Sequence, residues 1–300
     1  MNEAQLLDKT IALLNDDGTL EAYEFLVSNL NLLDEMTSQV YNFLYCLAAT
    51  SGKSAEALDW MEEAVVAEGF WYRPEVFDDE DLDSIRDDVR FAEYSGISNA
   101  KFNEAVKVVE SVFTWKEKTS DSIITVLHGN QQNNRISEKY WSVLQQLPVQ
   151  IEYLQSKEID SSGLFRWEDD GNGPLQLENA LGLIEWGSYN LKVLGGFSAG
   201  CNTILRFLRD TDIKCDKIIL QSPWMPCIED EPESIIEKLV IKGIEVLIIC
   251  GRGDEDCLPQ CLKFESKARE LGLKLKVNYI DGLGHDYPED FGERVSGFLK

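Results

Sequence analysis

Ser198 stands between two glycines in Gly196-Phe197-Ser198-Ala199-Gly200, directly after the apolar run Leu191-Lys192-Val193-Leu194. A hydroxyl is a poor nucleophile until a neighbouring base takes its proton. A strand that turns sharply through Gly-x-Ser-x-Gly into a helix is one way of presenting it. The glycines suit such a turn, because the serine is held in a strained backbone conformation and side chains on either flank would meet the neighbouring chain. Ala199-Gly200-Cys201-Asn202-Thr203-Ile204-Leu205-Arg206-Phe207-Leu208 reads as the helix. Its first turn aims backbone N–H groups and partial positive charge at the place where an oxyanion would form.

A nucleophilic serine needs a base, and the chain has two histidines, His128 and His285. His285 lies in the glycine-rich segment Asp281-Gly282-Leu283-Gly284-His285-Asp286-Tyr287, just past the apolar stretch Leu275–Ile280, so it falls at a strand end. The acid that orients the imidazole should close the preceding strand. That strand, Ile244–Cys250, runs into Gly251-Arg252-Gly253-Asp254-Glu255-Asp256, which makes Asp254 the first choice and Asp256 the alternative. The chemistry these residue types can do together is acyl transfer through a covalent serine ester.

Ser198, Asp254 and His285 occur in the order serine, acid, histidine, which is that of the α/β-hydrolases. Leu127-His128-Gly129-Asn130, after Ser122-Ile123-Ile124-Thr125-Val126, looks like the His-Gly loop that this superfamily places after an early strand. Over about residues 120–300 the chain therefore resembles the compact esterases and carboxylesterases of the α/β-hydrolase superfamily. The resemblance implies Ser198 as nucleophile, His285 as base and Asp254 as the acid that holds it, with the backbone N–H groups of Asn130 and Ala199 as the oxyanion hole. His128 is then a structural residue of its loop. The substrate would be a small-molecule carboxylic ester, with a thioester or activated amide left open, and neither cofactor nor metal is required. Cys257-x-x-x-Cys261 lacks the paired Cys-x-x-Cys knuckles of a structural metal site. The alternative is a non-enzymatic interaction scaffold with a degenerate hydrolase-like half. The complete set of triad residue types argues against it.

The elements that must position these residues follow from the apolar pattern. Strands are expected near 122–127, 149–155, 191–195, 215–221, 244–250 and 274–280, with helices between them. That alternation gives an α/β fold, a parallel sheet sandwiched between helices, with its ligands at the carboxyl ends of the strands. Asn130, Ser198, Asp254 and His285 all fall there. The segment from Ser222 to Gly243 is too short for a separate lid, so a shallow acyl pocket is expected. Trp224 and Met225 are candidates to line it, with a core or interface role equally open. The polar, glycine-rich block Ser161–Pro174 reads as a long loop on the same rim, with Phe165 and Trp167 as candidate substrate contacts.

Residues 1–118 read differently from 119–300. Apolar residues recur there at helical spacing (Leu6, Leu7, Ile11; Tyr23, Leu26, Leu30; Tyr41, Leu44, Ala48), and Gly18, Gly52 and Gly69 fall where helices should end. An all-α domain of helical hairpins is expected. Ala57, Met61 and Ala64 resemble the second helix of a tetratricopeptide repeat, although Tyr41 and Tyr45 replace the Trp and Gly usual in its first helix. Asp81–Phe91 resembles the segment closing such arrays, or else a further amphipathic helix, and Asp78–Asp83 reads as a solvated helix start. The resemblance implies a protein partner for this domain. Lys116-Glu117-Lys118-Thr119-Ser120 is the expected boundary.

The formal net charge is −26, and residues 1–119 hold 25 acidic against 9 basic side chains. A potential of that sign repels phosphate backbones and anionic lipid, so no nucleic-acid partner and no membrane insertion are expected. Seven cysteines, odd in number and scattered, read as reduced thiols. With no basic and apolar leader at Met1-Asn2-Glu3-Ala4-Gln5, a cytoplasmic location is expected.

Overall fold

The computed structural model describes residues 3–167 and 172–300. The chain forms two units, one of residues 1–109 with 159–164 and one of residues 110–158 with 165–300. Among the described residues no helix is long and apolar enough to cross a membrane.

The first unit is built on α1 (Glu3–Asp16), α2 (Thr19–Asn29), α3 (Ser38–Thr50), α4 (Ser54–Glu62) and α5 (Val89–Val106). Thr37 starts α3, its hydroxyl accepting the Val40 N–H. The apolar stripe of α3 (Leu44, Leu47, Ala48) and the small residues Ala57 and Ala64 with Met61 share one buried core. The short side chains let helices approach closely. Asp81–Phe91 is not one helix: Glu80–Leu82 is a single 3-10 turn, and α5 begins only at Val89, where Asp88 accepts the Arg90 N–H. The acidic run Asp78–Asp83 thus spans two short 3-10 turns. Asp79 accepts the Asp81 N–H with its side chain, which competes with helix continuation. Residues 159–164 complete this unit: Asp160 is paired with Arg73 at 3.1 Å, and Ser161 Oγ lies 2.8 Å from Ser38 Oγ.

The strands of the chain are β1 (Val112–Phe113), β2 (Ser122–Leu127), β3 (Gln150–Gln155), β4 (Glu158–Ser161), β5 (Leu164–Arg166), β6 (Leu191–Phe197), β7 (Lys217–Gln221), β8 (Glu245–Gly251) and β9 (Leu275–Ile280). Seven form one sheet in the order β1-β3-β2-β6-β7-β8-β9. Only β1 runs antiparallel, against β3. Alternate residues of each central strand serve different cores: Ile218 and Leu220 enter one, Ile219 the other. Burial on both faces is why these strands read as unbroken apolar runs. The helices of the second unit are α6 (Asn134–Trp141), α7 (Asn172–Gly182), α8 (Ala199–Asp210), α9 (Cys227–Asp230), α10 (Pro232–Lys242), α11 (Leu258–Glu270) and α12 (Phe291–Leu299).

The block Ser161–Pro174 is not a long loop. A turn at Gly163 (φ 76°) joins β4 to β5, and α7 already begins at Asn172; Glu168–Gly171 lie outside the described residues. Polar composition marked the turn correctly but hid a short strand, because Leu164 and Phe165 are too few to show alternation.

Candidate active site

Register brings the strand ends together. Leu127 of β2 pairs with Gly196 of β6, Phe197 of β6 with Gln221 of β7, and Gly251 of β8 with Ile280 of β9. The residues that follow, His128-Gly129-Asn130, Ser198, Ser222, Asp254 and His285, therefore leave the sheet on one edge. The three non-glycine residues with positive φ among those described, Gln131 (57°), Ser198 (49°) and Ser222 (39°), all sit just past strands on this edge. Each such conformation costs of order 1–3 kcal/mol and persists only where surrounding structure imposes it.

Ser198 is the strained residue between β6 and α8, with φ 49° and ψ −122°. Its N–H donates to the Gln221 carbonyl at 3.1 Å, which fixes the elbow to β7. A Cβ on Gly196 would lie 2.9 Å from the Cys201 backbone nitrogen, and one on Gly200 would lie 2.5 Å from the His128 carbonyl oxygen. Both flanks must therefore be glycine for strand, elbow and His-Gly loop to close. Ala199 opens α8, so its N–H belongs to the first turn, whose amides have no intrahelical acceptor.

Asp254 is buried and holds His285: its Oδ2 accepts from Nδ1 at 2.8 Å, and its Oδ1 accepts the Cys257 N–H at 3.2 Å. Asp256, the alternative acid, is exposed. Gly251 allows the acid strand to meet the histidine loop, since a Cβ there would lie 2.1 Å from the Leu283 carbonyl oxygen. Phe197, Tyr287 and Tyr140 form an aromatic column beside the imidazole. Phe197 lies 4.9 Å from the His285 ring and stacks on Tyr287 at 4.8 Å, and Tyr287 stacks on Tyr140 at 4.1 Å. Cys257 Sγ lies 3.6 Å from His285 Nδ1, and burial, reinforced by the Asp254 charge, pushes its thiol pKa well up.

His128 is fully buried, and burial depresses its pKa to about 4, so the ring is neutral. Its Nδ1 is 2.6 Å from the Gly129 carbonyl and its Nε2 accepts the Ser156 N–H at 3.1 Å. Both ring nitrogens are engaged by backbone. Trp167 braces the same loop: its indole donates to the His128 carbonyl at 2.7 Å, and its backbone N–H donates to Asn130 Oδ1 at 2.8 Å. Phe165 is half-buried, 6.4 Å from the His128 ring. Trp224 is half-buried against the core that contains the fully buried Met225.

Sequence reasoning missed Gln221, and it weighed Cys257 only within Cys257-x-x-x-Cys261, not as a neighbour of His285. Gln221 is fully buried, and its Nε2 donates to the carbonyl of Asp286, next to His285, at 2.8 Å. The signal was an amide closing the apolar run Ile218–Leu220 where strand ends carry the site. For Cys257 it was the Asp254-x-x-Cys257 spacing of a single turn.

A family model described as the N-terminal domain of A/B hydrolase-like proteins matches residues 2–106. No curated protein matches the chain. Among solved structures, an uncharacterized protein from Bacillus cereus ATCC 10987 is 30% identical, covers 100% of this chain and 98% of its own, and superposes with a TM-score of 0.57. A carboxylesterase of the thaumarchaeon Nitrososphaera gargenis (11% identity, TM-score 0.50) covers 64% of this chain and 94% of its own. Acyl-protein thioesterase 2 of Zea mays (16% identity, TM-score 0.48) covers 64% of this chain and 97% of its own.

Proposed function

We propose, given that the chain belongs to the α/β-hydrolase superfamily, that it is a serine hydrolase of carboxylic esters, with thioesters open to the same chemistry. The observation that carries this reading is the buried Asp254 carboxylate 2.8 Å from His285 Nδ1. With Nδ1 committed to Asp254, Nε2 is the ring nitrogen that takes the Ser198 proton. The Ser198 oxygen then attacks the acyl carbon, and the carbonyl oxygen becomes an oxyanion facing the backbone N–H groups of Asn130 and Ala199. The protonated imidazole returns its proton to the leaving alkoxide or thiolate, which leaves an acyl-enzyme. Water, deprotonated by the same nitrogen, releases the acid and restores Ser198.

The strained elbow supports this reading, because a serine held at φ 49° is a cost without a return in a chain that does no chemistry. The test is reaction of the full chain with a fluorophosphonate probe, followed by turnover of a graded series of acyl esters. Labelling at Ser198 that is lost in Ser198→Ala and His285→Ala, with both variants still folded, supports it. A folded wild-type chain that neither labels nor turns over any ester of the series refutes it and leaves the scaffold reading.

A further inference from the structure

We infer that Asp254, Cys257 and His285 form a binding site for a soft divalent cation, zinc above all, whose occupation switches the hydrolase off. The effect on activity rests on the serine hydrolase reading; the binding does not. One ligand atom from each residue lies within 4.8 Å of the others, with Nδ1 2.8 Å from Asp254 Oδ2 and 3.6 Å from Cys257 Sγ. Tetrahedral zinc, with bonds of about 2.0 Å to nitrogen or oxygen and about 2.3 Å to sulfur, separates its ligand atoms by about 3.3–3.6 Å. The sulfur and nitrogen are thus already spaced for it, and the nitrogen and oxygen must part by about half an ångström.

The means for that adjustment is visible. Asp254 and Cys257 are buried and tied together by the bond from the Cys257 N–H to the carboxylate. The His285 side chain is 35% exposed, so the ring can move outward and a solvent molecule can take the fourth position. A carboxylate, a thiolate and a neutral imidazole cancel the charge of a divalent ion, so it can be buried without a net charge. Thiolate with imidazole selects zinc, copper(I) and similar ions over magnesium and calcium. An acid-base pair requires only Asp254 and His285; Cys257 is the donor that turns the pair into a metal triad.

Occupation changes the base in a defined way. The ion takes the Nδ1 lone pair, and the proton that Nδ1 carried is replaced by one on Nε2. The Cys257 thiol loses its proton to solvent, so one proton is released overall. Nε2 then presents an N–H to Ser198 and cannot accept the hydroxyl proton. A chelator reverses the change.

The experiment is titration of the chelator-treated full chain with Co2+ and then Zn2+, read by absorption. A thiolate-to-cobalt charge-transfer band, displaced by Zn2+, is expected. Cys257→Ser should abolish the band and weaken Zn2+ affinity by at least about tenfold. His285→Ala, which alters the exposed side of the site, provides the second variant should Cys257→Ser misfold, and it should also lose affinity. A band that persists unchanged in folded Cys257→Ser, or a wild-type chain that gives none, overturns the site. In parallel, Zn2+ should protect Ser198 from fluorophosphonate and a chelator should restore labelling. Absence of labelling without metal tells against the hydrolase reading alone, since the cobalt spectrum decides the site independently.

Discussion

The side-chain amide of Gln221 donates to the Asp286 carbonyl at 2.8 Å, while the backbone carbonyl of the same residue accepts the Ser198 N–H. One buried residue thereby links the nucleophile elbow to the loop that carries His285. Gln221→Leu keeps the volume and the backbone acceptor but removes the shorter of the two hydrogen bonds to the Asp286 carbonyl, leaving only that from the Ser222 hydroxyl at 3.3 Å. Because misplacement of about 1 Å can cost about 10²-fold in rate, kcat should fall by that order with KM little changed. In Gln221→Glu only the protonated acid can donate to the carbonyl, so its activity relative to wild type should rise as pH falls. Steady-state constants across the neutral to acidic range decide it; an unchanged kcat in Gln221→Leu reduces Gln221 to packing.

Asp254 and Asp256 are two residues apart and differ in what they touch. Asp254 is buried with His285 Nδ1 on one oxygen and a backbone N–H on the other, whereas Asp256 is exposed. Asp254→Asn should preserve the fold and lower kcat by about 10⁴-fold through the wrong imidazole tautomer. Asp256→Asn should leave kcat nearly unchanged. The reverse ranking in a single assay would move the role to Asp256.

Much of the site was legible because its residues close strands, and strand ends are fixed by where apolar runs stop. Ser198, Asp254 and His285 could be placed on one edge of a sheet from spacing alone. What the sequence hid are partnerships across the sheet edge: Gln221 with Asp286, Trp167 with His128, and Cys257 with His285. Each joins residues far apart in the chain, or depends on a backbone atom whose direction no residue type encodes. The helical half was legible as helices, but Asp81–Phe91 was not, because aspartates that cap turns resemble aspartates that begin a helix.

The depressed pKa of His128 is also a stability statement. Its folded value of about 4 lies below the model-peptide value near 6.5, so between these pH values the unfolded chain binds more protons. The contribution is fully present above about pH 6.5 and is lost as pH falls towards 4, amounting to about 3 kcal/mol. Melting temperature should therefore drop over that window, and His128→Gln should flatten the drop while starting from a lower value at neutral pH. An equal slope in the variant would assign the acid sensitivity to other groups.

Residues 159–164 belong with residues 1–109, where Asp160 pairs with Arg73, Ser161 meets Ser38, and the Ser162 N–H donates to the Trp71 carbonyl. A chain cut after Val109 therefore does not separate two self-sufficient pieces. The fragment 110–300 would carry Asp160 and Ser161, both buried in the whole chain, without the groups that satisfy them. The fragment 1–109 would lack Ser161, which meets Ser38, and Asp160, which leaves Arg73 with Glu75 alone. Buried polar groups left without partners cost about 1–3 kcal/mol each, enough to matter against ordinary domain stability. Expressed alone, 110–300 should melt well below the full chain and aggregate. Co-expressed with 1–109, it should be recovered as a soluble complex with a higher melting temperature. If 110–300 alone is monomeric and as stable as the whole protein, the contacts of the 159–164 segment with residues 1–109 contribute nothing to stability.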